Sequence, residues 1–110
     1  VATAAEVLAA QDAAGRVRAA EPLRDYIVRL LWHTREDPRV DLGASPRAGL
    51  MLLRAAKAHA MMAGRDHALP DDVQTLAEPV LAHRLVLSPE TPRSGARDVI
   101  LDALGAVRAL

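Results

Sequence analysis

Cysteine is absent from the 110 residues. That excludes a disulfide framework and thiolate chemistry, and it fits a reducing, cytoplasmic setting. Phenylalanine is also missing, and one Trp and one Tyr are the only aromatics. With so few aromatic and β-branched residues, an all-β domain is close to excluded. Neither sign of charge is in excess: 14 Lys and Arg stand against 14 Asp and Glu, and the two halves of the chain are alike. A non-specific nucleic-acid binder, which needs a dominant basic footprint, is therefore not expected. Long apolar runs are missing too. The longest stretch free of charged side chains is the seven residues Ala58 to Gly64, whereas a membrane span needs ~18 or more. No secretory signal pattern is visible.

Alanine and leucine are abundant, at 23 and 16 residues. Both favour helix, and a chain of 110 residues has room for one core. The expectation is a single all-α domain over residues 1–110, a small bundle of about five helices. Thr3 with Glu6 reads as a capping box opening a helix to about Arg18, with a weak stripe of Val7, Ala10, Ala14 and Val17. Pro22 opens a second helix, on which Leu23, Tyr26, Ile27, Leu30, Leu31 and Thr34 recur at helical spacing. Asp37-Pro38 ends it, and residues 38–44 read as a loop. Ser45-Pro46 caps a third helix running to about Ala63, with Gly64 at its end. Its apolar face, Gly49, Leu52, Leu53, Ala56, Ala60 and Ala63, is built of small residues that let a neighbour approach closely. Pro70 opens a fourth helix, expected to break or kink at Pro79. Residues 86–95 read as a loop, and a last helix covers about Ala96 to Arg108.

No catalytic constellation is visible: there is no phosphate-binding loop, no nucleophile elbow and no H-E-x-x-H. His33, His59, His67 and His83 fall on separate elements at spacings that match no metal pattern, so no metal site is expected. His59 reads as a packed core histidine, and Asp71-Asp72 as complements of a helix dipole. Two residues break local rules. Arg47 puts a cation in the first turn of a helix, where free N–H groups already make the potential positive. Its candidate roles are phosphate contact or a salt bridge such as one to Asp41. Trp32 projects opposite the apolar stripe, with Val28 one turn behind, and the pair is the candidate interface.

At Gly43-Ala44-Ser45-Pro46-Arg47-Ala48 the chain resembles the C-terminal lid domain of MoxR-type AAA+ ATPases. The likeness continues through Leu52-Leu53-Arg54-Ala55-Ala56-Lys57-Ala58, Gly64-Arg65-Asp66, Pro70-Asp71-Asp72-Val73 and Val80 to Leu85. Upstream it takes in Asp25 to Leu30 and Thr34-Arg35, so about residues 4–90 are covered. The resemblance implies a helical lid that follows an α/β nucleotide-binding core, so the chain, which opens on Val1, is expected to be a fragment of a longer ATPase. It implies that Arg47 is the sensor 2 residue reaching the γ-phosphate of ATP, with Mg²⁺, in the full-length parent. It implies an adenine-side wall, for which Tyr26 and Ile27 are the candidates. It also implies a ring of subunits with chaperone-like remodelling activity, and a von Willebrand factor A-domain protein as a candidate partner. By itself the chain is not expected to hydrolyse ATP or to hold a cofactor, because it carries neither the phosphate loop nor the metal-binding carboxylates. The alternative is a stand-alone helical interaction module that uses Trp32 and Val28, or the strip of Arg54 and Lys57, without nucleotide. DNA binding by a helix-turn-helix around residues 64–70 is disfavoured by the balanced charge.

Overall fold

The structure is a computed structural model that describes residues 3–109; residues 1, 2 and 110 of the expected span lie outside the described residues. Five helices carry the fold: α1 (Ala4–Gly15), α2 (Glu21–Glu36), α3 (Pro46–Met62), α4 (Pro70–Leu81) and α5 (Gly95–Ala106). A short 3-10 turn, Ala82–Arg84, follows α4, and two strands, β1 (Val40–Leu42) and β2 (Val86–Leu87), pair antiparallel. The all-α bundle expected from composition is present.

Helix α2 organises the core. Leu23, Tyr26, Ile27, Leu30, Leu31 and Thr34 are all buried, the same six positions that the 3.6-residue period selects. Helix α3 lies beside it. The Ser45 hydroxyl accepts the Ala48 N–H at 3.2 Å, capping the start. At the other end Gly64 takes the left-handed conformation, φ +79°. Gly49, Leu52, Leu53, Ala56 and Ala60 of α3 are buried as expected, whereas Ala63, past the last helical turn, is exposed. The small face allows close packing: a Cβ on Gly49 would stand 2.6 Å from Leu31 Cδ1. From α5, Val99, Ile100 and Ala103 close the core over α2 and α4.

Helix α1 forms with its capping box, Thr3 and Glu6 exchanging hydrogen bonds of 3.1 Å. It stops at Gly15, three residues short of the expected end, and buries no side chain. Val17, assigned by period to its stripe, is buried for another reason. The segment after α1 leaves the helix to pair with the segment before α4, Arg18 N–H bonding to Asp66 O at 2.9 Å and Ala68 N–H to Arg18 O at 2.8 Å.

Three further expectations are corrected. Residues 38–44 and 86–95 are not wholly loop, since Val40 lies opposite Leu87 and Leu42 opposite Val86 in the small ladder. The Arg39 guanidinium pins this strand pair to α5, donating to both Asp37 oxygens and to Asp102. Helix α4 runs through Pro79 and ends at Leu81. Pro79 removes one bond near the end of the helix, and its ring is exposed, so the element survives it. Among the described residues no helix is long and apolar enough to cross a membrane.

Candidate functional site

The turn from Gly43 to Arg47 is clamped to α2. A Cβ on Gly43 would meet the Arg35 backbone at 2.8 Å and 2.9 Å, so only glycine lets the chain pass there. The buried Ala44 N–H donates to Thr34 Oγ1 at 3.2 Å, and that hydroxyl donates onward to Leu31 O at 2.6 Å. Ala48 is buried behind the turn. The start of α3 is therefore fixed by backbone packing, a threonine relay and the Ser45 cap.

Arg47 stands on this fixed start and is exposed. The salt bridge to Asp41 is not made, and among the described residues the Arg47 side chain has no ion-pair partner. In the same turn Pro46 lacks an N–H, Ser45 Oγ takes that of Ala48 and Ser45 O that of Gly49. The backbone N–H of Arg47 makes no hydrogen bond among the described residues, so main chain and side chain of one residue both offer donors to an anion.

Next to Pro46 a groove of about 360 Å³ opens between α2 and α3. Ile27, Leu31, Gly49 and Leu53 form its floor, and Trp32 stands at its edge. Trp32 is 55% exposed and Val28 47% exposed, so the face opposite the stripe is uncovered in this chain. The Arg35 guanidinium lies 5.3 Å from the centre of the Trp32 ring and holds it in place.

The two candidates for an adenine-side wall separate. Ile27 lines the groove. Tyr26 does not: it is fully buried, its ring under the Arg29 guanidinium and its hydroxyl near Gln74 Nε2 at 3.5 Å. It serves the core and presents no surface to a ligand.

A second polar cluster was not visible in the sequence. Asp72 is fully buried at the start of α4 and accepts from both Arg65 Nη atoms at 2.7 Å and from Leu69 N–H at 2.7 Å. His59 Nδ1 is 2.6 Å from the same carboxylate. His59 is thus not a packed core histidine; its ring is 41% exposed and reaches inward to Asp72. Arg65 hydrogen bonding, with help from the Leu69 N–H and His59, holds the Asp72 carboxyl far below its ordinary value against the opposing effect of burial. Asp71, its neighbour, is exposed and fits the dipole reading. The missed signal was the three-residue step from Leu69 to Asp72, an acid placed to cap its own helix start. The cluster joins the end of α3 to the start of α4. Among the described residues no group of three or more His, Cys, Asp or Glu side chains is placed to hold a metal.

Comparison with known proteins bears on this geometry. The family model described as the AAA lid domain matches residues 33–103. The chain belongs to the AAA lid domain family. Its relatives are MoxR proteins among others: it is 36% identical over 92 residues to the protein named Chaperone MoxR1 of Mycobacterium tuberculosis, covering 76% of this chain and 24% of that protein. It is 40% identical over 94 residues to YeaC of Bacillus subtilis, an uncharacterized protein, covering 84% of this chain and 29% of that one. A crystal structure of an inferred ATPase from Cytophaga hutchinsonii superposes with a TM-score of 0.87 at 33% identity, covering 94% of this chain and 35% of that one. These relatives place the chain among MoxR-type AAA+ lids, and it spans about a quarter to a third of their length.

Proposed function

We propose that the chain is the sensor 2 lid of a MoxR-type AAA+ ATPase, closing over ATP bound to the core of the full-length parent. The observation that carries this reading is Arg47: exposed, without an ion-pair partner among the described residues, and mounted on a turn that α2 holds rigidly. A cation at a helix start costs stability unless it meets an anion there. The donor set fits a terminal phosphate, because a guanidinium offers two parallel N–H bonds to phosphate oxygens. Ile27 and the apolar groove beside Pro46 offer a surface suited to the base. In the parent, Mg²⁺ would be held with the triphosphate by the core; this chain supplies only the Arg47 contact and the groove wall. Assembly into a ring with neighbouring subunits and chaperone-like remodelling follow from the same family reading, the second supported by the name of the mycobacterial relative.

The test is Arg47→Ala in the full-length parent. Loss of one charge-assisted contact is worth about 1.5–3 kcal/mol, which converts to roughly a 10- to 150-fold loss in kcat/KM for ATP hydrolysis. Arg47→Lys should recover only part of it, because the bidentate geometry is gone. Unchanged hydrolysis and unchanged nucleotide-dependent assembly in Arg47→Ala would refute the sensor role. The exposure of Trp32 and Val28 favours a second role for the same domain, as a protein-docking face. Trp32→Ala should then weaken contact with the core or a neighbouring subunit while leaving the Arg47 contact in place.

A further inference from the structure

A second depression, of about 630 Å³, lies between α1 and α3 on the far side of Leu50 and Leu53 from the groove at Pro46. It exists because the residues facing each other across it are small: Ala14 and Gly15 on α1, Ala58 on α3. A Cβ on Gly15 would have no neighbour within 4 Å, so the wall is open there. Helix α1 buries no side chain of its own, so this side of the bundle is only partly filled. Leu50 and Leu53 give it an apolar floor.

Its polar rim is of one sign. Arg24, Arg54 and Lys57 line it and no carboxylate does, in a chain whose charges balance. Arg54 and Lys57, three residues apart on α3, project along one edge, and neither has an ion-pair partner among the described residues. Arg24 lines the trough from α2, its Nε donating to Ala19 O. The depression continues past Arg24 and Lys57 to Arg18 and His67, again lined by no carboxylate, although Asp66 pairs with both from outside. Three like charges around an apolar floor repel one another unless an anion joins them.

We propose that this trough is a docking site for an acidic, leucine-bearing peptide segment of a protein partner. The apolar floor calls for aliphatic anchors and the rim for carboxylates on both flanks. From Leu50 to Ala58 the floor is about 12 Å long at ~1.5 Å per residue, which suits two turns of helix. A nucleic acid is disfavoured because no aromatic ring lines the trough to stack a base. Arg47 does not line the trough, although Arg24, Leu50 and Leu53 also border the groove at Pro46.

The test uses the full-length parent and a fluorescein-labelled, end-capped 12-residue peptide with leucines at i, i+3, i+4 and i+7 and glutamates elsewhere. Fluorescence anisotropy should show saturable binding in the micromolar range that weakens with salt. Arg54→Glu with Lys57→Glu should weaken it at least tenfold. Gly15→Leu, which fills the trough without changing charge, should do the same, while Arg47→Ala should leave it unchanged. Circular dichroism on each variant separates loss of binding from loss of fold. The proposal is overturned if the peptide does not bind at millimolar concentration, or if the lysine counterpart binds equally. It is also overturned if the trough variants bind like the wild type, or if a single-stranded oligonucleotide of equal charge binds more tightly and is equally sensitive to the charge reversals.

Discussion

Replacing Asp72 by Ala should be among the most damaging single changes to this domain, and replacing Asp71 among the mildest. The two stand side by side in the first turn of α4, and a dipole argument treats them alike. The structure does not. Asp72 is fully buried and receives four short contacts, two from Arg65, one from Leu69 N–H and one from His59. Its removal strands the Arg65 charge and leaves the Leu69 donor without its partner. Breaking a buried pair from one side costs about 3–5 kcal/mol. The Arg65 side chain is 27% exposed and can reach water, which puts the value at the lower end, about 3 kcal/mol. For a domain of this size that is a fall in Tm of roughly 12–24 °C. Asp71→Ala should cost only about 0.3–1 kcal/mol, the helix-dipole contribution. Urea denaturation of the two variants and the wild type, followed by far-UV circular dichroism, measures the difference. A loss below about 1 kcal/mol for Asp72→Ala, or equal losses for the two variants, would refute the claim that the cluster joins α3 to α4.

Acid should act through this cluster and through the Asp37–Arg39 pair. The carboxyls of Asp72 and Asp37 are both lowered from 3.8, the first mainly by Arg65 and the second mainly by Arg39. Their stabilising effect is complete above the unfolded value and is lost as pH falls through the depressed folded values. Stability should therefore decline steadily as pH is taken below about 4, and Asp72→Asn should flatten that decline in a urea series; an unchanged slope would contradict it. Gly43→Ala should destabilise the domain by about 1–3 kcal/mol through overpacking against the Arg35 backbone. If Arg47 acts as proposed, the substitution should also lower ATP turnover in the parent, because it shifts the turn that carries Arg47; thermal melts and hydrolysis assays read the two effects separately.

What the sequence made legible follows the strength of local signals. The six buried positions of α2 sit at unbroken helical spacing, and α3 carries both a Ser-Pro start and a Gly end, so period and caps agree. The strands escaped because two or three residues are too short to show alternation, and their pairing joins positions more than forty residues apart. α1 ends before Val17, whose spacing fits the helix but which is buried by pairing of the chain after it. Pro79 does not break α4, because a proline near a helix end removes little. Arg47 stands out in the sequence because it violates a local rule, and the structure leaves it exposed on a fixed turn; its role is the one proposed above. The Asp72 cluster was hidden because its members, His59, Arg65 and Asp72, become neighbours only when α4 folds back along α3.

The clamp at Gly43 has a mechanical consequence. A sensing cation on a flexible loop would follow a phosphate wherever it moved, and its binding energy would be spent on ordering the loop. Here the base of the guanidinium is welded to α2 through Gly43, Thr34 and Ser45, so only its own side-chain torsions are free. If Arg47 meets a phosphate as proposed, a pull on its tip would be transmitted as torque on a body 46 Å long. Small angular steps at a hinge would then become displacements of several ångströms at the far edge of such a body. Under the proposed role of Arg47 the domain would work as a stiff lever with its contact point near one fixed turn, and the surfaces that would feel its stroke are those carried on its remaining faces.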